Sequence, residues 1–444
     1  MRTFRVVFAV LMLAAAVGAQ VSPERLAEQA QAYRDAGQFQ GSVLVARDGK
    51  PVLSRGFGPA VVEWGIEATP DTKFRLGSIT KQFTAMAVLI MEEQGKLATG
   101  DPIRKLIPEA PEAWAGVTIH HLLTHTSGIP SFTNLPDYKK TNALPAPPAE
   151  TMKRVTGMPL EFKPGAQFKY SNTGYTLLGL IIERASGQDY ASFMEKAVFG
   201  PLGMKDTGYH NQMTVLPRFA AGYAQGPKGL RPAGHIDMSI PHAAGALYST
   251  TLDLLKWDTA LREGKLIGAA SYKKYFTPEK ADYAYGWIAR KQDGTEIQMH
   301  GGGIEGFATM IIRVPAEKLV VVALGNTQEA QSGKLANDLV LLALGKEVPK
   351  PVVRKEIHVP AEVLSRYVGV YQLAPSFAMT VTLENGQLMT QATNQPKFPV
   401  FPESETKFFP KVIDATITFQ VDGAGKVTGL VLDQNGRQMP ATRQ

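Results

Sequence analysis

The stretch "GSITKQFTAMAVLIMEEQGK", Gly77 to Lys96, decides how this chain is read. From Phe83 to Met91 it is almost wholly apolar, as a helix buried in a core must be. Gly95 stands where a helix commonly ends on a left-handed residue. Yet Ser78 and Lys81 fall in the first turn, three residues apart and so on one face. A helix start offers free N–H groups and positive potential where negative charge develops. Apolar surroundings lower the pKa of a lysine, so its amine accepts a proton near neutrality. A weak nucleophile beside a base is the recurring arrangement of covalent catalysis. Ser-x-x-Lys alone is more often a capping serine with a solvated lysine, so other motifs must decide.

Two more motifs follow. "YSN", Tyr170-Ser171-Asn172, precedes a helical pattern running from Thr173 to Ser186 and stopped by Gly187. An extended tripeptide there points Tyr170 and Asn172 one way and Ser171 the other. A phenol near an ammonium loses its proton more easily, and an asparagine both donates and accepts. The plainer alternative is a core tyrosine, with Asn172 capping the next helix. "HGGGIEGF", His300 to Phe307, lies between two strand patterns, where glycines admit another backbone closely. An extended substrate could pair there and find an N–H for its oxyanion. Gly301, Gly303 and Gly306 also match the dinucleotide signature, but "FATMIIRVP" after them reads as a strand where that signature needs a helix.

Ser-x-x-Lys, Tyr-x-Asn and His-Gly-Gly in this order resemble the serine β-lactamase and penicillin-binding-protein superfamily, on its class C and DD-peptidase side. "FRLGSITKQFTA", "LLTHTSGIP" and "FKYSNTGYTLLGLIIERASGQDY" strengthen the resemblance, which spans roughly Ala30 to Gly345. It implies an α+β fold: an antiparallel sheet of five or more strands flanked by helices, with a helical subdomain bearing Tyr170. It further implies Ser78 as the acylated nucleophile, with Lys81 and Tyr170 sharing the base work. Which of these two is the resting base stays open, because coupled groups titrate as a unit. Asn172 would bind Lys81 and the substrate's amide carbonyl. The N–H groups of Ser78 and Gly303 would form the oxyanion hole. His300, Gly301 and Gly302 would replace the Lys-Thr-Gly of most β-lactamases. A histidine there is charged only in part near pH 7, so activity on carboxylate substrates is expected to rise as His300 protonates. No metal or organic cofactor is implied.

Length and composition bound the rest. A chain of 444 residues exceeds one core, and 44% hydrophobic with 20% charged residues is ordinary for a soluble globular protein. Residues 1–19 carry Arg2 and Arg5, the short apolar run Val6 to Val17, and small residues at Val17-Gly18-Ala19. They read as a cleaved signal peptide, which directs the product to the periplasm or the exterior with no membrane span left. The chain has no cysteine, which rules out disulfides, thiolate zinc sites and thiol nucleophiles. Processing would lower the formal charge from +7 to +5 by removing Arg2 and Arg5. That excess is spread thinly, with a modest cluster from Lys346 to Lys355, unlike a nucleic-acid reader. His121 and His125 are four apart but lack the Glu of H-E-x-x-H.

The expected organisation is a hydrolase domain over 20–345, a proline-punctuated linker over 346–360 and a small all-β domain over 361–444. Hairpin signals stand at Asp48-Gly49, Asp293-Gly294, Asn385-Gly386, Asp422-Gly423 and Asn435-Gly436. The last domain resembles lipocalin-like barrels; Phe398, Phe401, Phe408 and Phe409 would line a ligand cavity or fill its core. The leading expectation is an exported serine hydrolase acting through an acyl-enzyme on D-amino-acid peptides, small esters or β-lactams. The alternatives are a catalytically retired relative that binds peptidoglycan fragments or a partner, and a scaffold without covalent chemistry. The region Leu97 to Leu160, rich in proline and alanine, is either a lid or a surface excursion. The loops Ser131–Gly157 and around Pro227 are expected to set the substrate, and the oligomeric state stays open.

Overall fold

A computed structural model describes residues 22–226, 229–395, 397–410, 413, 415–434 and 437–444. Residues 1–19, read above as a signal peptide, Pro227 and the hairpin signal Asn435-Gly436 lie outside the described residues.

The first structural unit centres on a six-stranded antiparallel sheet. Its strands are β1 (Gly41–Arg47), β2 (Lys50–Phe57), β3 (Ile288–Gln292), β4 (Thr295–Ile304), β5 (Phe307–Val314) and β6 (Leu319–Gly325). Their order across the sheet is β3-β4-β5-β6-β1-β2, so the first and last of these strands in sequence meet at the β6–β1 pair. Both strands of that pair are apolar because both their faces are covered. Val43, Val45, Val321 and Ala323 join one core, with Leu26, Tyr33, Leu335 and Leu339. Leu44, Ala46, Val322 and Leu324 face the other, with Phe83, Val88 and Trp257. The alternation of successive side chains thus feeds two helical layers.

Four helices carry the argument: α1 (Pro23–Asp35), α2 (Thr80–Glu93), α3 (Asn172–Ser186) and α4 (Ser332–Ala343). Helices α1 and α4 cover one face. Helix α2 is buried on all sides from Thr80 to Met91, which explains its uninterrupted apolar run. Gly95 has φ +71° and Gly187 φ +71°, the left-handed stops read from the sequence. Asp48-Gly49, Asp293-Gly294 and Asn385-Gly386 all have positive φ at both residues, as tight hairpin turns require. At Asp422-Gly423 the connection is longer, and Gly425 takes the positive φ instead.

The C-terminal unit is a nine-stranded antiparallel sheet that wraps almost closed. Its edge strands, Phe398–Pro399 and Phe401–Pro402, are separated in sequence by Val400 alone. Side chains fill its interior. Tyr367 stacks on Phe419 at 4.3 Å, and Phe408 packs against both. Of the four phenylalanines, Phe408 is core and Phe398 packs at its margin, while Phe401 and Phe409 pair outside that cluster at 6.2 Å. No helix among the described residues is long and apolar enough to cross a membrane.

Candidate active site

The first turn ahead of α2, Gly77–Ile79, is a tighter 3₁₀ turn that runs straight into the α-helix. Ser78 stands at the floor of a cavity of about 330 Å³, and Lys81 projects from one turn later beneath it. Lys81 is fully buried. Its Nζ lies 2.9 Å from Ser78 Oγ, 2.9 Å from Asn172 Oδ1 and 2.8 Å from the Ala244 carbonyl oxygen. Burial among apolar groups pushes its pKa well below the usual lysine value.

Tyr170 and Asn172 reach the same spot because Ser171 is extended (φ −135°, ψ 117°) and helix α3 begins directly after it. The Tyr170 hydroxyl donates to Ser78 Oγ at 2.8 Å. Burial holds this phenol above its ordinary pKa, so it stays protonated. This corrects the expectation of an easily ionised phenol: the neighbouring amine is itself kept from charging. Asn172 does not cap α3. Its amide nitrogen donates to Thr133 Oγ1 at 3.2 Å, which fixes Oδ1 toward Lys81.

The glycine run brings β4 against the helix start. A Cβ on Gly302 would sit 1.9 Å from the Leu76 carbonyl oxygen, and one on Gly77 2.9 Å from the Gly303 nitrogen. Gly303 opens onto the cavity with nothing within 4 Å of such a Cβ. The close backbone approach read from these glycines is therefore made first by the protein's own Leu76-Gly77.

His300 departs from expectation. Its ring is buried, with Nε2 2.9 Å from the Tyr283 hydroxyl and Nδ1 2.6 Å from the Gly301 carbonyl oxygen. Burial, together with Lys81, brings its pKa down to about 4. It is a neutral partner of Tyr283 at pH 7, and the part-charged imidazole expected there is absent. Ser78, Asn172 and Gly303 line the cavity; Lys81, Tyr170 and His300 support it from behind.

Several participants escaped the sequence reading. The Ala244 carbonyl comes from a short helix, His242–Gly245, that carries no recognisable motif. His125 has φ +57° and accepts from the Ser171 N–H at 3.2 Å, with its ring 4.2 Å from that of Tyr170. His121 instead accepts from the Thr118 N–H, so the two histidines serve different turns. Position 125 was visible in "LLTHTSGIP", but only its packing shows what it holds. The far cavity wall combines Phe132, Tyr138 and Lys139, from the stretch Ser131–Gly157 expected to set the substrate, and Glu305, from "HGGGIEGF", with Ile236, which left no signal of its own.

This fold, with one serine hydroxyl in contact with both an amine and a phenol, is that of a serine hydrolase. Residues 25–345 match the Beta-lactamase family, and the chain belongs to it. Residues 353–443 match a domain of unknown function, DUF3471. Penicillin-binding protein 4* of Bacillus subtilis (strain 168) is 31% identical over 432 residues, 91% of this chain and 95% of that protein. The octameric penicillin-binding protein homologue from Pyrococcus abyssi superposes with a TM-score of 0.66 at 26% identity, over 94% of this chain and 99% of its own. D-amino acid amidase from Ochrobactrum anthropi SV3, complexed with L-phenylalanine amide, gives 0.62 at 25% identity, over 72% and 99%.

Proposed function

We propose that the protein is an exported hydrolase that cleaves amide or ester bonds through an acyl-enzyme on Ser78. The observation that carries this reading is a single oxygen, Ser78 Oγ, in contact with a buried amine at 2.9 Å and a protonated phenol at 2.8 Å.

The neutral Lys81 amine takes the Ser78 proton as Oγ bonds to the substrate's carbonyl carbon. The N–H groups of Ser78 and Gly303 receive the oxyanion. Tyr170 gives its proton to the leaving group as the scissile bond breaks, and the adjacent Lys81 ammonium stabilises the phenolate left behind. Water then gives a proton to that phenolate and attacks the ester carbon. Lys81 returns its proton to Oγ as the acid departs, and the site is restored. Asn172 holds Lys81 in line throughout.

D-amino-acid peptides, small esters and β-lactams all present a carbonyl that suits this sequence, and the names of the relatives, penicillin-binding proteins and a D-amino acid amidase, support the first and the last of these classes. The basic start and short apolar run of residues 1–19 support export. A fluorophosphonate or a fluorescent penicillin tests the reading. Labelling at Ser78 that is lost in Ser78→Ala and reduced in Lys81→Ala is expected. A folded protein that no acylating probe labels would favour a binding protein instead.

A further inference from the structure

We propose that Glu305 is an anchor for a substrate's ammonium group, and that Lys139 occupies this subsite in the free protein. The inference rests on the reading of the Ser78 cavity as the active site, and it names the substrate class: acyl groups with a free, protonated amine.

Glu305 follows the oxyanion-side glycines by two residues and lines the same cavity as Ser78. Its side chain is only 12% exposed, whereas that of its partner Lys139 is 74% exposed. Lys139 Nζ lies 2.9 Å from Glu305 Oε1, and Asn142 Nδ2 donates to the same oxygen at 3.0 Å. Asn142 is itself fixed, because its carbonyl accepts from the Asp237 N–H at 2.9 Å. The carboxylate is thus held and sheltered while its cation sits on a flexible stem in water. Such a pair exchanges one ammonium for another readily, because the exposed Lys139 chain returns to water while the sheltered carboxylate keeps a cation.

Other charges near Glu305 do not fill its role. Arg75 feels its charge but directs Nε to His210 Nδ1 at 3.1 Å and its guanidinium over Phe307. The Tyr138 phenol is pushed up to about 12 by burial and by Glu305, so it stays neutral. Phe132, Ile236 and Pro241 supply apolar wall beside the carboxylate. An amino-acid amide or ester with an apolar side chain offers a group to each feature of this wall, an ammonium for Glu305 and an apolar chain for Phe132, Ile236 and Pro241.

Phenylalanine amide, in either hand, and its N-acetyl derivative test this by calorimetry on the full chain. The free amine is expected to bind roughly tenfold tighter than the acetylated form, with the preference erased in Glu305→Gln. Lys139→Ala removes the competing cation and is expected to raise affinity for the free amine alone, a gain that a merely structural latch would not give. Equal binding of the two forms, binding of neither, or a preference that survives Glu305→Gln overturns the subsite. If p-nitrophenyl acetate acylates Ser78 but free amines gain nothing, the subsite fails and the hydrolase stands. If the amine preference appears while nothing acylates Ser78, the hydrolase fails and the subsite stands.

Discussion

Lys81 Nζ approaches Ser78 Oγ at 2.9 Å while its two other partners, Asn172 Oδ1 and the Ala244 carbonyl, can only accept hydrogen bonds. A neutral amine has two hydrogens for those two acceptors, which leaves its lone pair for the serine proton. Full burial favours that neutral form. Tyr170, held as a phenol, donates to Ser78 from the other side. We therefore propose Lys81 rather than Tyr170 as the resting base, the choice that the sequence left open.

Replacing that amine by an uncharged chain of similar length isolates its role. Lys81→Met should retain the fold, because methionine keeps the apolar stem and loses only the three polar contacts at its end. Acylation of Ser78 by a fluorophosphonate should fall about 10²–10⁴-fold, the usual worth of a positioned base. Stopped-flow labelling, with circular dichroism as the control, measures it. A rate within a few-fold of wild type would remove Lys81 from the mechanism.

The pH dependence carries a definite sign. The acylation rate should rise with pH through the depressed pKa of Lys81 and level off well below the ordinary 10.5. For stability, the folded chain binds fewer protons than the unfolded one between these two values. Stability from this group therefore increases with pH across that window and is lost as pH falls through it. A rate that climbs steadily to pH 10 and above would show that Lys81 is charged at rest.

His300 yields the reverse of what its residue type suggests. With a folded pKa of about 4 against an ordinary 6.5, it is neutral through pH 6–8. Activity on carboxylate substrates should show no His300-dependent inflection near 6.5, and His300→Gln should leave the profile's shape unchanged there. Stability from the neutral ring is complete above 6.5 and lost as pH falls to 4, by up to about 3 kcal/mol. Urea midpoints of wild type and His300→Gln at pH 7 and 4.5 measure the difference. An inflection near 6.5 that vanishes in His300→Gln would restore the charged histidine.

What the sequence made legible is local or patterned. The apolar run of α2, the Asp48-Gly49 hairpin and the Gly187 stop follow from rules within a few residues. The contact of Ser78 with Lys81 is one helical turn long, so spacing offers it, though the other motifs were needed to choose it over a capping serine and a solvated lysine. Tyr170 and Asn172 lie 92 and 91 residues from their partners, and only the motif order joined them. The protonation of Tyr170 and His300 was misread because it depends on burial, which a residue's identity does not report. Ala244 reaches Lys81 only through tertiary packing of the helix His242–Gly245, and no local pattern marks its carbonyl.

Adjacent glycines at the strand edge should respond in opposite ways to one added methyl group. In Gly302→Ala the Cβ would fall 1.9 Å from the Leu76 carbonyl oxygen, which is backbone and cannot rotate aside. Strand β4 must then move off the helix start, at a cost of about 1–3 kcal/mol for forced overpacking. Because that helix start carries Ser78, the same shift should reduce labelling of the serine. Gly303→Ala meets nothing within 4 Å, so its stability should stay near that of wild type. Its methyl would instead project beside the oxyanion N–H and hinder a bound acyl group. Thermal melts together with labelling rates separate the two effects. Equal melting temperatures for both variants would mean that β4 does not depend on this backbone contact.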